Sequence, residues 1–197
     1  MRTLVIDTGT ANLASMLAAL ERVGLEPEAV TTPDDIADAP RVVLPGVGAF
    51  GAGVKRLQDM GLFGLVRDRI EAERPLLAVC LGLQLLCKAS TESPGAHGLG
   101  VLPVEVGRFE TADIVPQLGW NRVQADEDCA LLDDGYAYYA NSYRLPKAPE
   151  GWSAAFTTHG ERFVAAVERG PILATQFHPE LSGAWGQALL ERWGKSC

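Results

Sequence analysis

The first place where this sequence could do covalent chemistry is a cysteine at a strand-to-helix junction. In Leu76-Leu77-Ala78-Val79-Cys80-Leu81-Gly82 an apolar strand runs into a helix, and Cys80 sits at the turn. A sharp turn of this kind holds a nucleophile above a sheet, and small residues on either side, here Ala78 and Gly82, let it pack tightly. The positive end of the following helix favours thiolate. Taken alone, Cys80 fits two readings, a nucleophile or the inert buried thiol that free cysteine often is. Gln84 lies four residues on, on the same helical face, inside the apolar run 81–86. A buried amide without partners costs about 1–3 kcal/mol. Gln84 is therefore expected to face a polar cavity or ligand, with a hydrogen bond to a neighbouring loop as the alternative. Cys87 reads as core packing.

A thiol nucleophile needs a base, and the base needs an acceptor on its other nitrogen. His178-Pro179-Glu180 follows an apolar strand at 172–176 and offers both groups. Residues two apart in extended chain point the same way, so His178 and Glu180 can meet. A second pair, His159-Gly160-Glu161, has the same spacing but lies between two alternating strands with glycine in the middle, which marks a surface hairpin. His97, in the loop Pro94-Gly95-Ala96-His97-Gly98, has no comparable setting. Cys80, His178 and Glu180 are thus the expected triad. A third strand end, Val42-Val43-Leu44-Pro45-Gly46-Val47-Gly48-Ala49-Phe50, is rich in glycine. Such a loop lets backbone N–H groups approach an oxyanion. A phosphate loop is the alternative, but no Lys-Ser/Thr pair follows and the third glycine of a dinucleotide fingerprint is missing.

The elements that must position these groups follow from periodicity. Residues 3–7 read as a buried strand, and 11–23 as an amphipathic helix through Leu13, Met16, Leu17, Leu20 and Val23, ended by Gly24. A short strand is expected at 29–31, a helix start at Thr32-Pro33-Asp34-Asp35, a strand at 41–44, a helix at 62–73 and a strand at 76–79. Apolar strands alternating with helices predict a parallel sheet covered on both faces. From about residue 100 the pattern changes to strands at 101–109, 122–124, 136–140, 154–157, 163–168 and 172–176, closed by a helix over roughly 183–193. The predicted fold class is α/β, a three-layer sandwich with a largely parallel central sheet and antiparallel β additions in the second half. A single domain over 1–197 is expected, since 197 residues suit one core.

Composition narrows the chemistry. Seventeen basic against 25 acidic residues leave a net charge of −8, which argues against nucleic acid as the partner. Residues 105–134 alone hold eight acidic and two basic side chains. The longest apolar run, 76–83, is eight residues, against the ~20 of a membrane span, so no membrane is expected. No export signal is read in Leu4-Val5-Ile6-Asp7, which predicts a cytoplasmic chain with Cys80, Cys87, Cys129 and Cys197 as free thiols. Without a C-x-x-C pair and with three histidines, no metal and no cofactor are expected.

Together the three segments resemble the class I (triad) glutamine amidotransferases over nearly the whole chain. Within that family they are more similar to the glutaminase subunits of imidazole glycerol phosphate synthases. Pro45-Gly46-Val47-Gly48-Ala49-Phe50 resembles the oxyanion strand of those subunits, whereas anthranilate and pyridoxal phosphate synthase glutaminases spell this loop differently. Val79-Cys80-Leu81-Gly82-Leu83-Gln84-Leu85-Leu86 is similar to the nucleophile elbow and Phe177-His178-Pro179-Glu180 to the His-Pro-Glu motif. Pro116-Gln117-Leu118-Gly119-Trp120-Asn121, Asn141-Ser142-Tyr143-Arg144 and the opening Asp7-Thr8-Gly9-Thr10-Ala11-Asn12-Leu13 resemble further segments of that branch. Ala78 stands where the family has glycine, and Gln117 and Asn141 where histidine is common.

The resemblance implies glutamine hydrolysis through a thioester on Cys80, with His178 moving protons and Glu180 orienting it. It implies an oxyanion hole from the backbone of Val47, Gly48 and Leu81, and glutamine held by Gly48, Gln84, Glu92 and the Ser142-Tyr143 backbone. It further implies delivery of ammonia to a (β/α)8 cyclase subunit in a heterodimer of histidine biosynthesis. Asn12, Trp120, Tyr136 and Tyr138 are the expected partner-interface residues. The alternatives at this stage are a glutaminase serving a different synthase, a catalytically silent subunit of the same fold, and a thiol hydrolase of peptides or small amides.

Overall fold

The computed structural model describes residues 2–9, 11–111 and 113–196, so Cys197 and Thr10 of the opening loop lie outside the described residues. The first half builds β1 (Arg2–Ile6), α1 (Leu13–Arg22), β2 (Glu26–Val30), α2 (Pro33–Ala37), β3 (Val42–Gly46), α3 (Phe50–Asp59), α4 (Phe63–Glu71), β4 (Leu76–Cys80) and α5 (Leu81–Leu86). The second half adds β5 (Cys87–Ser90), β6 (Leu102–Arg108), β7 (Gln117–Ala125), β8 (Gly135–Asn141), β9 (Tyr143–Arg144), β10 (Ser153–His159), β11 (Glu161–Arg169), β12 (Ile172–Thr175) and α6 (Gly183–Lys195).

A nine-stranded sheet runs β2-β1-β3-β4-β12-β11-β10-β7-β8. Pairing is parallel from β2 to β12 and antiparallel from β12 to β8. Strands β5, β6 and β9 form a smaller sheet beside it. Side chains alternate across the parallel strands, and this alternation sorts the core into two layers. Leu4, Ile6, Val42, Leu44, Leu76 and Ala78 pack with Phe50, Val54 and Leu57 of α3 and Val66 and Ile70 of α4. Val5, Val43, Leu77 and Val79 pack instead with Met16 and Leu20 of α1 and with Leu189, Leu190 and Trp193 of α6. Each fully buried aliphatic side chain contributes about 1.5–3 kcal/mol to this arrangement. The architecture is the α/β sandwich that the sequence predicts, and Ala78 is accommodated at full burial in the first layer. Among the described residues no helix is long and apolar enough to cross a membrane.

Three elements differ from expectation. Helix α3 was not expected, because Gly51 and Gly53 weaken its propensity. It forms because Phe50, Val54 and Leu57 bury one face and because Glu92, far along the chain, accepts from the N–H of Phe50 at 2.7 Å. Strand β7 begins five residues before the expected 122–124 strand, since residues 117–121 pair with β8 despite Gly119. The apolar run after Cys80 yields a helix of only six residues, and the chain then leaves as β5.

Candidate active site

Adjacent parallel strands end together, and ligands in such sheets bind beyond their carboxyl ends. Strand β4 lies between β3 and β12, with Gly46 beside Cys80 and Thr175 beside Val79 in register. The three chemically suggestive segments therefore meet at one edge of the sheet. They line a cavity of about 320 Å³ bounded by Val47, Gly48, Cys80, Leu81, Gln84, Glu92, Asn141, Ser142, Tyr143 and His178. Every expected triad, oxyanion and substrate residue except Glu180 touches this cavity, and Glu180 stands behind His178.

Cys80 adopts φ +54°, ψ −107°, in the half of conformational space that side-chain-bearing residues avoid. Such a backbone costs about 1–3 kcal/mol and is held by its surroundings. The holding group is the next turn. A Cβ on Gly82 would stand 2.1 Å from the carbonyl oxygen of Leu44, so only glycine lets the helix start this close to β3. The elbow thus places Cys80 at the N-terminus of α5, nearly buried but open to the cavity.

His178 Nδ1 lies 2.8 Å from Glu180 Oε1, and both side chains are less than a tenth exposed. The contact is made across a 3₁₀ turn, Pro179–Leu181, rather than along extended chain as the spacing suggested. The His178 backbone is held on two sides. Its N–H donates to Tyr138 O at 2.9 Å, and its carbonyl accepts from Ser182 Oγ at 2.6 Å. Burial disfavours a charged ring here, but hydrogen bonds to Cys80 and Glu180 and the charges of both outweigh it and raise the imidazole to about 10. An imidazolium held between Cys80 and Glu180 is the charge state this geometry favours for the ring. Cys87, by contrast, is fully buried with its thiol pushed up by desolvation, as its reading as core packing requires.

The expected oxyanion residues line the same cavity. Val47 and Gly48 follow the buried strand β3 as an exposed loop, and Gly48 holds φ +108°, open to glycine alone in practice. Leu81 directly follows Cys80, the place an oxyanion donor takes at such a turn. Gln84 reaches the cavity and is also bonded within the protein, its Nε2 donating to Gln176 Oε1 at 3.0 Å and Tyr143 O at 3.3 Å. Both sequence readings of Gln84 therefore hold at once. Glu92 lines the cavity while one of its oxygens caps α3. Asn141 Nδ2 donates to the same Tyr143 carbonyl at 3.0 Å. Gln117 pairs with Asn141 across β7 and β8.

Gln176 and Ser182 are functional candidates that sequence reading missed. Gln176 is fully buried, and Ser182 nearly so. Gln176 was legible only as a polar residue ending an apolar strand. Ser182 was legible only as a serine before the last helix. Among the described residues no cluster of histidine, cysteine, aspartate or glutamate is placed to hold a metal.

The expected interface residues fall outside the cavity. Trp120 and Tyr138 are cross-strand partners on the outward face of β7 and β8, with ring centroids 6.3 Å apart. Tyr136 and Leu118 share this face, and Leu118, Trp120 and Tyr136 are more than half exposed. Asn12 caps α1, its Oδ1 accepting from Ser15 N.

Comparison with known proteins gives the family and the fold. The family model described as glutamine amidotransferase class-I matches residues 4–195. The chain is 41% identical over 193 residues to imidazole glycerol phosphate synthase subunit HisH of Carboxydothermus hydrogenoformans, covering 96% of each. It is 40% identical to imidazole glycerol phosphate synthase hisHF, chloroplastic, of Arabidopsis thaliana, where 96% of the chain spans only 33% of that longer protein. A solved structure described as a glutamine amidotransferase superposes with a TM-score of 0.77 at 22% identity, covering 97% of this chain and 98% of the other.

Proposed function

The chain belongs to the class I glutamine amidotransferase family, and from that premise we propose that it is the glutaminase subunit of an imidazole glycerol phosphate synthase, acting as one amidotransferase domain in the cytoplasm. The observation that carries the reading is the strained Cys80 turn facing His178, itself 2.8 Å from Glu180, inside a cavity walled by the Val47-Gly48 loop.

Glutamine enters with its carboxamide carbon over Cys80 and its amino-acid end toward Gln84, Glu92 and the Ser142-Tyr143 backbone. The Cys80 thiolate adds to that carbon, and the electron pair of the C=O moves onto oxygen. Backbone N–H groups of the Val47-Gly48 loop and Leu81 hold the resulting oxyanion. When the oxyanion collapses, the C–N bond breaks and the imidazolium of His178 gives its proton to the departing nitrogen, releasing ammonia and leaving a thioester. Neutral His178 then takes a proton from water as it attacks the thioester. Glutamate leaves, and thiolate and imidazolium are restored. Glu180 keeps the ring in one orientation and balances its charge throughout.

Ammonia in water at neutral pH is mostly protonated and unreactive, so its release must be coupled to a second active site. The subunit therefore docks on a (β/α)8 cyclase, which uses the ammonia to make imidazole glycerol phosphate and an aminoimidazole carboxamide ribotide in histidine biosynthesis. The exposed aromatic face of Trp120, Tyr136 and Tyr138, with Asn12, contributes to that interface, since desolvated aromatics anchor such contacts. Trp120→Ala is expected to weaken the heterodimer and the coupling of the two reactions.

The test measures glutamine hydrolysis by the chain alone and with the cyclase subunit and its nucleotide substrate. Low activity alone and a large rise in the complex are expected, abolished by Cys80→Ala. High activity indifferent to the cyclase would discard the assigned synthase, and inactivity of the folded complex would discard the glutaminase.

A further inference from the structure

Gln176 is the last buried polar residue before the catalytic histidine, and none of its surface reaches solvent. Its Oε1 accepts from Gln84 Nε2 at 3.0 Å, and its Nε2 donates to Cys80 Sγ at 3.7 Å. The order of donors and acceptors along this chain is forced. The Tyr143 carbonyl can only accept, so Gln84 must turn its NH2 toward it. Both N–H bonds of Gln84 are then committed to Tyr143 and Gln176. Gln176 must in turn present oxygen to Gln84, which leaves its NH2 group facing the sulfur.

We infer that Gln176 is a positioning residue that ties the nucleophile to the substrate cavity, through an amide relay running from the Tyr143 carbonyl by way of Gln84 and Gln176 to Cys80 Sγ. The relay does two things. It supplies the sulfur with a fixed N–H donor, which stabilises thiolate more than thiol and aims the sulfur at the cavity. It also uses up the donors of Gln84, so that the only free polar atom of Gln84 is an acceptor, Oε1, suited to an N–H of the substrate. Topology explains why the relay is possible: β12 lies directly beside β4, so the residue after Thr175 comes alongside the residue after Val79. The inference rests on the reading of Cys80 as the nucleophile of a glutaminase, but it can be tested apart from turnover.

The experiment uses the full chain and follows carboxamidomethylation of Cys80 by iodoacetamide against pH, located by peptide mass, in the native protein, Gln176→Met and Gln84→Met. Kinetic constants for glutamine are measured for the same three proteins in the complex with the cyclase. Gln176→Met is expected to raise the midpoint of Cys80 alkylation by about one pH unit and to lower kcat/KM by about tenfold. Gln84→Met is expected to raise KM and to raise the alkylation midpoint by less than Gln176→Met does, because Gln176 keeps its NH2 group but loses the partner that fixes its orientation. A merely structural role for Gln176 would lower stability without moving the midpoint. A Gln176→Met midpoint that superimposes on the native one overturns the inference. Should Gln176→Met not fold, Gln176→Asn serves in its place. Its uncharged amide is one methylene shorter and withdraws the NH2 group from the sulfur, so the midpoint rises, and an unmoved midpoint overturns the inference here too. If the native complex does not hydrolyse glutamine while the Gln176→Met midpoint still moves, the functional reading fails and the relay stands.

Discussion

Two His-x-Glu pairs occur in this chain, and the structure puts them to opposite uses. His178 and Glu180 face each other at 2.8 Å, buried, on a 3₁₀ turn beyond a parallel strand. His159 and Glu161 flank the β10–β11 hairpin, where Gly160 takes φ +66°. There the ring and the carboxylate turn to other partners. His159 Nε2 meets Ile114 O at 2.9 Å, and Glu161 accepts from Arg144 at 2.7 Å and from Glu110 N at 3.0 Å. Identical spacing yields a buried His–Glu pair beside Cys80 in one place and a strap on Glu110 and Ile114 in the other. The difference lies in how each turn is held and in what the neighbouring strand brings. Tyr138 and Ser182 hold the backbone of His178, and β4 delivers a thiol beside it; Gly160 reverses the chain in a hairpin instead.

The comparison is broken most severely by removing the rings. His178→Ala is expected to lower kcat for glutamine by about 10³-fold or more, because base and acid are lost together. His159→Ala is expected to leave kcat within about twofold, as a change remote from the reacting atoms should. Equal losses from both would show that the hairpin pair takes part in the chemistry. The carboxylates come next. Glu180→Gln keeps the shape but removes the charge that orients the imidazolium, and a fall in kcat of about 10²-fold or more is expected. Glu161→Gln should weaken the strap and spare turnover, read as a lower unfolding temperature with native kinetics.

The two pairs also respond to opposite ends of the pH scale. The His178 imidazole is raised in the folded state despite burial, by Cys80 and Glu180, to about 10. Its contribution to stability is therefore complete below the unfolded value near 6.5 and disappears as pH rises through about 10. Glu161 is lowered, first by its hydrogen bond to Arg144, with burial opposing. Its contribution is present above the ordinary carboxylate value and is lost as pH falls into the acid range. Urea unfolding of the native chain and of His178→Ala should thus converge as pH climbs toward 10. The native chain and Glu161→Gln should converge in acid instead. Convergence at the same end would contradict the assigned partners.

Gly160 carries a smaller but clean effect. A Cβ there would fall 1.7 Å from Thr111 Oγ1, on a backbone that already favours glycine. Gly160→Ala is expected to cost about 1–3 kcal/mol of stability with kcat unchanged, measured by denaturant unfolding alongside steady-state kinetics.

How much of this was legible beforehand depends on how far the determining contacts lie apart in sequence. The apolar strands and the Cys80 turn are local patterns, and they read correctly. The hairpin at His159-Gly160-Glu161 was legible because glycine and alternating strands announce it within ten residues. Helix α3 was not, since its N-terminal cap comes from Glu92 and Ser93, 42 residues away. The approach of Gln176 to Cys80 spans 96 residues and depends on β12 lying next to β4, which no periodicity encodes. The 117–121 part of β7 was hidden for a similar reason, because its pairing with β8 outweighs the weak strand propensity of Gly119.

Pro179 is the least costly element of the comparison to alter, and the structure says why. The turn that brings Glu180 to His178 is fixed by bonds that do not involve the proline ring. Ser182 Oγ and Leu181 N both donate to His178 O, and the N–H of His178 donates to Tyr138 O. What the ring adds is a restricted unfolded chain, worth about 0.4–1 kcal/mol at a compatible position. Pro179→Ala is therefore expected to lower the unfolding temperature by about 1–4 °C and to keep kcat within about threefold of the native value. Thermal unfolding and glutamine kinetics on the same preparation decide it. If kcat falls as far as in Glu180→Gln, the ring itself holds the dyad, and the difference between the two His-x-Glu pairs reduces to proline against glycine. If only the unfolding temperature moves, the difference belongs to the clamp formed by Tyr138 and Ser182, which the hairpin at His159 lacks.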